Sequence, residues 1–216
     1  MPNKNSIKEY VENSYYHVYN RGVAKQSIFL DDQDYKTFLS YLKIYLTKPD
    51  EKLIAFPSRK LKNYYQELSL LSYCLMPNHF HLFVFQKDPN TMSSFLQSII
   101  TKYSMYFNKK YKRVGPVFQG RYKAVMVRKE NQFIYLSKYI HRNPLDILTS
   151  GSDLEVYRYS SYLNYLGLFN QSWVDKTDIL SYFSKANPGT AYKNFVEETD
   201  ERDLLTIKDL VLDFEE

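Results

Sequence analysis

The sequence predicts an α+β protein with a ferredoxin-like or RRM-like core of the order β-α-β-β-α-β, followed by a helical C-terminal extension. Three observations predict this class. Four short segments are rich in apolar and β-branched residues, longer stretches between them repeat apolar residues at helical spacing, and turn residues separate them. With 216 residues, 44% of them hydrophobic, the chain can bury one sizeable core.

The first strand and the first helix are predicted near the N-terminus. Residues 14–21 carry the aromatic and β-branched side chains typical of a strand. Asp31 and Asp32 are suitable N-cap residues for a helix over residues 33–46. The polar stretch over residues 48–62 then predicts a loop.

A hairpin and a long helix come next. Two apolar runs, residues 68–75 and 79–86, are joined by a Met-Pro-Asn turn, which predicts two antiparallel strands. The segment that follows carries an apolar stripe to about Lys112 and predicts a long helix.

The rest of the core is one strand and one helix. Residues 122–127 predict the fourth strand, and residues 132–141 predict a helix that stops before Pro144, since proline disfavours helical geometry at the preceding residue. This order predicts four antiparallel strands with helices on one face. We assign residues 1–145 to the core and the remainder to a helical extension that is not an independent domain, with short helices over residues 159–165, 177–183, 191–199 and 204–214.

Composition narrows the cellular setting. Cys74 is the only cysteine, so no internal disulfide is possible and no oxidising compartment is needed. No apolar run approaches the roughly eighteen residues of a transmembrane helix, which predicts no membrane partner. Residues 1–6 lack the apolar segment of a signal peptide. These features predict a cytoplasmic protein.

The net charge of +5 conceals a strong asymmetry. Residues 196–216 carry nine acidic and two basic residues, so residues 1–195 carry a net +12. No acidic residue lies between Asp88 and Glu130, and an acid-free basic window of this length attracts a polyanion. Its basic residues include Lys109, Lys110, Lys112, Arg113, Arg121, Lys123 and Arg128.

Aromatic residues interleave with these cations. Nucleic-acid bases stack on such rings while Lys and Arg hold phosphates, which favours a nucleic acid as the polyanion. At least half of the rings are expected in the core instead. The residues concerned are Tyr103, Tyr106, Phe107, Tyr111, Phe118 and Tyr122.

A His-x-His pattern lies at the start of the third predicted strand. Alternate side chains of a strand share a face, so His79 and His81 project together while Phe80 points to the core. Two imidazoles on one face can serve as a metal-ligand pair. The alternative is two half-exposed histidines at a strand end.

The last core helix offers a nucleophile and a further ligand. Tyr139 and Asn143 are four residues apart and share one helix face, with Tyr135 one turn earlier. A tyrosine hydroxyl attacks phosphorus well only when a cation polarises the phosphate. Two imidazoles and the Asn143 carboxamide oxygen favour Mg²⁺ or Mn²⁺, of which Mn²⁺ tolerates nitrogen ligands better. The alternatives are a core tyrosine and an ordinary helix end.

The other two histidines are weighed separately. His17 lies on the first strand, where it is a packed residue, a nucleic-acid contact or a supporting residue for the site. His141 is two residues from Tyr139 and points to a different helix face, so we exclude it from the metal site.

Several segments together resemble the single-tyrosine HUH transposases, and especially the REP-associated tyrosine transposases. They occur in the family's order and span most of residues 14–145. The segments are Tyr16-His17-Val18-Tyr19-Asn20-Arg21-Gly22, Met76-Pro77-Asn78-His79-Phe80-His81-Leu82, Val117-Phe118-Gln119-Gly120-Arg121-Tyr122 and Tyr139-Ile140-His141-Arg142-Asn143-Pro144.

The resemblance implies an enzyme that nicks and rejoins single-stranded DNA beside short hairpins. His79 and His81 would bind the divalent metal, with Asn143 as the third contact, and Tyr139 would form a 5′-phosphotyrosine link without a nucleotide cofactor. Arg21 and the basic window would hold DNA phosphates. The resemblance leaves a monomer or a homodimer open, and the long extension favours a monomer.

Two features depart from the family pattern. Phe118 stands where relatives often carry tryptophan, which points to altered base stacking. The acidic tail either covers the basic surface and restrains activity or forms an ordinary solvated terminal helix, and we favour the second.

Two other functions remain open. An RRM-like domain could bind structured nucleic acid without cutting it. A metal-dependent phosphodiesterase could use water as its nucleophile and leave no covalent intermediate. The combination of His79, His81, Tyr139 and Asn143 favours the strand transferase, because binding alone does not require it.

Overall fold

The computed structural model describes residues 10–49, 62–198 and 202–211. Most of the loop predicted over residues 48–62 lies outside this part, as do residues 1–6 and the acidic positions beyond 211. The core elements are β1 (Ser14–Arg21), α1 (Asp32–Leu46), β2 (Leu68–Met76), β3 (His79–Gln86), α2 (Thr91–Tyr111), β4 (Lys123–Met126) and α3 (Glu130–Arg142). The extension contains α4 (Tyr162–Tyr165), α5 (Thr177–Leu180), α6 (Pro188–Glu197) and α7 (Arg202–Val211).

The four strands form one antiparallel sheet in the order β2-β3-β1-β4. This is the strand order of a ferredoxin-like fold, and it confirms the predicted fold class. The Met-Pro-Asn turn joins β2 to β3, with Met76 opposite His79. The central strands β3 and β1 pair along their full length, from Ser14 opposite Gln86 to Arg21 opposite His79.

Helix α1 begins at a capping box. The Asp31 side chain accepts a hydrogen bond from the Asp34 backbone N–H, and the Asp34 carboxylate accepts one from the Asp31 backbone N–H. The buried Asp34 also accepts hydrogen bonds from Lys110 and Tyr111 of α2. This carboxylate thereby joins the start of α1 to the end of α2.

Helices cover both faces of the sheet. Helices α1 and α2 pack on one face, where Phe38 of α1 lies 5.4 Å from Phe80 of β3, measured between ring centroids. Helix α3 packs on the opposite face, where Phe133 lies 5.2 Å from Phe83. The prediction that the two helices of the β-α-β-β-α-β core share one face is therefore confirmed. The helix that follows, α3, covers the other face, so almost every side chain of β3 is buried.

The C-terminal extension packs against the outer edge and the second face of the sheet. Cys74 and Leu70 of β2 form isolated β-bridges with Ser160 and Val174. The Ser161 hydroxyl accepts a hydrogen bond from the Tyr73 backbone N–H. The extension thus shares buried contacts with the core, and the division at residue 145 remains a prediction. Within the residues that the structure describes, no helix is long and apolar enough to cross a bilayer.

Candidate active site

The two histidines of β3 lie side by side on the α3 face of the sheet. Their ring centroids are 5.0 Å apart and their ring planes nearly perpendicular. Phe80 between them is fully buried on the other face, against α1. The register places Arg21 opposite His79 and Tyr19 opposite His81. The strand thus presents both imidazoles to the C-terminal end of α3, as the alternation predicted.

Asn78 orients the ring of His79. Its carboxamide oxygen is 2.6 Å from His79 Nδ1, and its amide group donates to the Lys25 carbonyl at 3.3 Å. Because a carboxamide oxygen only accepts hydrogen bonds, His79 Nδ1 carries the proton of that contact. Burial lowers the pKa of His79 to about 4, so the ring is neutral at pH 7 and Nε2 bears a lone pair.

The side chain of Asn143 completes this cluster. Its amide group donates to the Tyr139 carbonyl at 3.1 Å, which leaves Oδ1 facing the histidines. Asn143 Oδ1 lies 3.3 Å from His79 Nε2, and the carboxamide also contacts His81. Two electron-pair donors at 3.3 Å repel each other unless a cation lies between them. The donor set therefore fits a hard or borderline divalent cation.

This cluster is not built from acidic residues. Within the described ranges, no group of three or more His, Cys, Asp or Glu side chains is arranged to hold a metal ion. The carboxamide oxygen of Asn143, an electron-pair donor of another residue type, faces both imidazoles. Cys74 is buried, and burial raises the pKa of its thiol, which therefore stays protonated at pH 7.

His81 is fully buried and lies edge to edge with His17 of β1. The two ring planes are 11° from parallel, and His81 Nδ1 is 2.9 Å from His17 Nε2. The other ring nitrogen of His17 is 2.9 Å from the Leu210 carbonyl of α7. Burial lowers the pKa of His17 to about 4 and that of His81 well below its usual value.

Tyr139 lies beside the histidine cluster. Its ring meets His81 edge to face, with 5.6 Å between centroids, and meets His17 in the same way at 6.2 Å. The half-buried ring lines a cavity of about 490 Å³ together with Tyr135 and Asn143. The structure therefore brings the candidate nucleophile, the two imidazoles and the carboxamide to one place.

Helix α7 forms one wall of that cavity. Leu204 and Ile207 line it, and Asp203 makes a 2.7 Å ion pair with the buried Lys138 of α3. Ile207 and Leu210 are buried. The expectation of an ordinary solvated terminal helix is therefore wrong for residues 202–211, because one side of this helix carries apolar residues that pack against α3.

The predicted DNA-contacting residues differ in their exposure and in their protein partners. Arg21 donates to the Gln119 side chain at 2.6 Å, and its charge helps lower the pKa of His79. Lys110 makes 2.7 Å ion pairs with Asp31 and Asp34, so its charge is largely neutralised by protein. Arg113 and Lys123 are half-buried, and the exposed members of the set are Lys109, Lys112, Arg121 and Arg128.

The aromatic residues of the basic window do not form a stacking surface. Tyr106 and Tyr111 are bound to Asp34 through their hydroxyl groups. The other four rings are buried, as expected for at least half of them: Tyr103, Phe107, Phe118 and Tyr122. Phe118 packs against Phe80 in the core, so the expectation that it alters base stacking is wrong.

His141 lies away from the candidate site. Its Nδ1 is 2.6 Å from the Tyr192 hydroxyl and its Nε2 is 2.8 Å from the Ser161 hydroxyl. Tyr192 also donates to Ser137 at 3.0 Å. This buried network attaches α3 to α4 and α6, and thereby fixes the helix that carries Tyr139.

The four histidines make the folded state sensitive to acid. Burial lowers the pKa of His17 and His79 to about 4 and that of His141 to about 3, and His81 shifts in the same direction. The unfolded chain therefore binds more protons below about pH 6.5. Above that pH these histidines make their full contribution to the free energy of unfolding. The contribution decreases as the pH falls toward 4.

We accordingly expect the free energy of unfolding in EDTA to fall steeply from pH 7 to pH 5. Each histidine contributes up to about 1.4 kcal/mol per pH unit in this window. Urea denaturation at a series of pH values measures the slope. Ordinary carboxylates titrate below this range, so a flat profile between pH 7 and pH 5 would contradict neutral, buried histidines.

Sequence reasoning missed three parts of the site. The sequence predicts Asn78 only as a turn residue, although its position beside the His-x-His pattern is a usable signal. The contact between His17 and His81 depends on strand register, which the local pattern does not specify. The wall formed by α7 depends on a contact between residues about seventy positions apart, for which no local signal exists.

Comparisons with known proteins define the class. The family model described as "Transposase IS200 like" matches residues 10–143, which include every residue of the histidine and Asn143 cluster. The protein is thus of the transposase class. More narrowly, the chain belongs to the IS200-like transposase family, and the predicted relationship to single-tyrosine HUH transposases is confirmed. A comparison with curated proteins gave no match.

One solved structure shows the same fold. The structure of a REP-associated tyrosine transposase bound to a REP hairpin superposes with a TM-score of 0.53 at 16% sequence identity, covering 81% of this chain and 94% of that one. A Deinococcus radiodurans protein assigned as a transposase gives a TM-score of 0.39 at 14% identity, covering 64% and 97% of the two chains. The first of these similarities establishes a shared fold that extends beyond residue 143 into the C-terminal segment.

Proposed function

We propose that the protein is a metal-dependent single-stranded DNA endonuclease and strand transferase, and that Tyr139 forms a 5′-phosphotyrosine intermediate at hairpin-flanked sites. One observation carries this proposal. His79 Nε2 and Asn143 Oδ1 lie 3.3 Å apart, next to His81. The Tyr139 ring packs edge to face against the His81 ring, with 5.6 Å between the ring centroids. The proposed cation site therefore lies next to the Tyr139 phenol, which supports phosphoryl transfer to tyrosine.

His79, His81 and Asn143 are the proposed ligands of Mg²⁺ or Mn²⁺. Two nitrogen donors and one amide oxygen favour Mn²⁺, which accepts imidazole more readily. When bound, the cation supplies charge that polarises a DNA phosphate held on its open side. The histidine rings are neutral at pH 7 because of burial, so no proton needs to leave them before the ion binds.

The chain's own residues perform the rest of the chemistry. The Tyr139 oxygen attacks phosphorus, the bond from phosphorus to the 3′-oxygen breaks, and the phenol proton is transferred, through solvent, to the departing 3′-oxygen, which is released as a 3′-hydroxyl. The 5′-phosphate remains on tyrosine. Rejoining is the reverse reaction with a 3′-hydroxyl as nucleophile. The phosphodiester count is unchanged, so no nucleotide cofactor is needed.

Hairpin DNA is the proposed substrate. The structural relative with the same fold was solved with a REP hairpin. Arg21 lies close enough to His79 to affect its pKa, and Lys123 pairs with Tyr19 on the same sheet face as the histidines. We propose that both hold phosphates beside the cleavage point. Further phosphate contacts are proposed for Lys109, Lys112, Arg113, Arg121 and Arg128. The DNA contact of Lys110 remains a prediction only, because Lys110 already forms ion pairs with Asp31 and Asp34.

A monomer is the favoured form. Helix α3 carries Tyr139 and is attached to α6 of the same chain through the Arg142 guanidinium, which donates to the Val196 carbonyl at 2.7 Å. The ion pair between Lys138 and Asp203 attaches it to α7. These contacts support a nucleophile that acts within its own chain rather than in a partner.

The deciding experiment is an adduct assay with hairpin oligonucleotides that carry a single-stranded extension. We expect a denaturation-resistant protein–DNA adduct in Mn²⁺ that contains the 3′-terminal label, a released fragment with a 3′-hydroxyl, and no reaction in EDTA. Cleavage that yields a free 5′-phosphate without an adduct would indicate the water-dependent phosphodiesterase. If hairpin affinity is the same with and without EDTA and no oligonucleotide is cleaved, the protein is a nucleic-acid-binding protein rather than an enzyme.

A further inference from the structure

His17 of β1 forms the middle of a buried chain of hydrogen bonds. It connects the Leu210 carbonyl of α7 to the His81 ring, with both contacts at 2.9 Å. His17 and His81 are fully buried, at 0% exposure. Bulk water therefore does not supply alternative partners for these ring nitrogens, and each proton position follows from the chain itself.

The direction of the chain follows from its end. A backbone carbonyl only accepts hydrogen bonds, so His17 Nδ1 must donate to Leu210. A neutral imidazole has one N–H, so His17 Nε2 is then an acceptor. The partner of His17 Nε2 is His81 Nδ1, which must donate. The remaining nitrogen of His81, Nε2, is left with its lone pair.

We propose that His17 is a positioning residue that selects the Nδ1–H tautomer of His81 and so prepares His81 Nε2 as a metal ligand. This inference rests on the proposed metal site. Both β3 histidines would then be held as the Nδ1–H tautomer by a neighbouring side chain, because Asn78 accepts from His79 Nδ1 at 2.6 Å. Supporting hydrogen bonds of this kind orient ligands and raise their basicity.

The backbone explains why β1 provides this residue. His17 stands opposite Phe83, so its side chain is the diagonal neighbour of His81 on the same sheet face. The two rings are nearly coplanar, with 5.1 Å between centroids. Leu210 lies on α7 (Arg202–Val211), and its carbonyl oxygen is 2.9 Å from His17 Nδ1.

Two neutral substitutions of His17 separate this role from packing. The carboxamide oxygen of His17→Gln can accept from His81 Nδ1, replacing the Nε2 contact. His17→Asn is too short to reach His81, although its amide group can still donate to the Leu210 carbonyl. The two variants have similar polarity, so the comparison tests the contact with His81 rather than burial of a polar group. Both are made in the full chain, and thermal melts report whether each is folded.

The first readout needs no metal. Long-range ¹H–¹⁵N correlation spectra of the histidine rings in EDTA identify which nitrogen carries the proton. We expect His81 to be protonated at Nδ1 in the wild type and in His17→Gln, and to be a mixture of tautomers in His17→Asn. A wild-type His81 protonated at Nε2 would overturn the proposal.

The second readout is Mn²⁺ affinity, from the paramagnetic resonance signal of the free ion. We expect His17→Asn to weaken binding by about 10- to 100-fold and His17→Gln to remain close to the wild type. Equal affinity in the wild type and a folded His17→Asn variant would overturn the role of His17 alone. A wild type that binds no Mn²⁺ would instead overturn the metal site itself. Should His17→Asn fail to fold, a His81 tautomer or Mn²⁺ affinity changed in His17→Gln would overturn the proposal, and unchanged values would support it.

Discussion

Replacing Tyr139 with phenylalanine is expected to abolish the covalent protein–DNA adduct while hairpin binding persists. The substitution removes only the phenolic oxygen that attacks phosphorus. The ring can keep its edge-to-face contacts with His81 and His17, so the cluster and α3 should retain their positions. We expect adduct formation to fall to the background of the denaturing gel, with hairpin affinity unchanged in a filter-binding assay.

Tyr135→Phe is the matched control. Tyr135 lies one turn earlier on α3 and lines the same cavity, and its ring packs against Phe195 at 5.4 Å. This variant should form the adduct at the wild-type rate. Loss of the adduct in Tyr135→Phe and its survival in Tyr139→Phe would transfer the nucleophile to Tyr135, and peptide mapping of the adduct identifies the attacking residue directly.

The sequence allowed the core elements to be predicted because their signals are local. The strand that carries the histidines begins and ends where predicted, at His79 and Gln86, since a Pro-Asn turn and an apolar run define both limits. The four-residue spacing of Tyr139 and Asn143 predicts that both lie on one helix face. In the structure the Asn143 amide group donates a 3.1 Å hydrogen bond to the Tyr139 carbonyl, as this spacing requires.

The remaining parts depend on distant contacts that composition does not specify. The basic window was predicted to attract a polyanion, yet Lys110 within it is bound to Asp31 and Asp34, which lie more than seventy residues earlier. Phe118 has basic neighbours in sequence but lies in the core in space. Charge and aromatic content along a chain therefore overstate the surface that is available to a ligand, because pairing and burial are decided by the fold.

The same reasoning applies to α7. Its acids indicated a solvated helix, but three of its residues, Ile207, Leu210 and Val211, are buried against the core. A helix with many charges can still bury an apolar stripe, since only one side needs to be apolar. Which surface it covers follows from the tertiary structure, here the wall of the cavity beside Tyr139.

His79→Ala is expected to abolish DNA cleavage at any Mn²⁺ concentration that leaves the protein soluble. The substitution removes one of three proposed ligands, and the remaining His81 and Asn143 cannot hold the ion against hydration. The residue lies at the start of β3 and is half-buried, so the sheet should survive its loss. Adduct yield and Mn²⁺ affinity, measured on the same preparation, test the expectation, and a thermal melt confirms the fold.

Asn78→Ala gives the graded comparison that distinguishes a ligand from its support. It leaves the His79 ring in place but removes the oxygen that accepts from Nδ1 at 2.6 Å. We expect Mn²⁺ affinity to fall by about 10- to 100-fold, with cleavage restored by excess Mn²⁺. Two results would contradict the assignment of His79 as a ligand and Asn78 as its orienting partner. One is that excess Mn²⁺ does not restore cleavage in Asn78→Ala, and the other is that cleavage persists in His79→Ala. A ligand and its orienting partner differ in that only the partner's loss can be overcome by mass action, because the coordinating atom is still present.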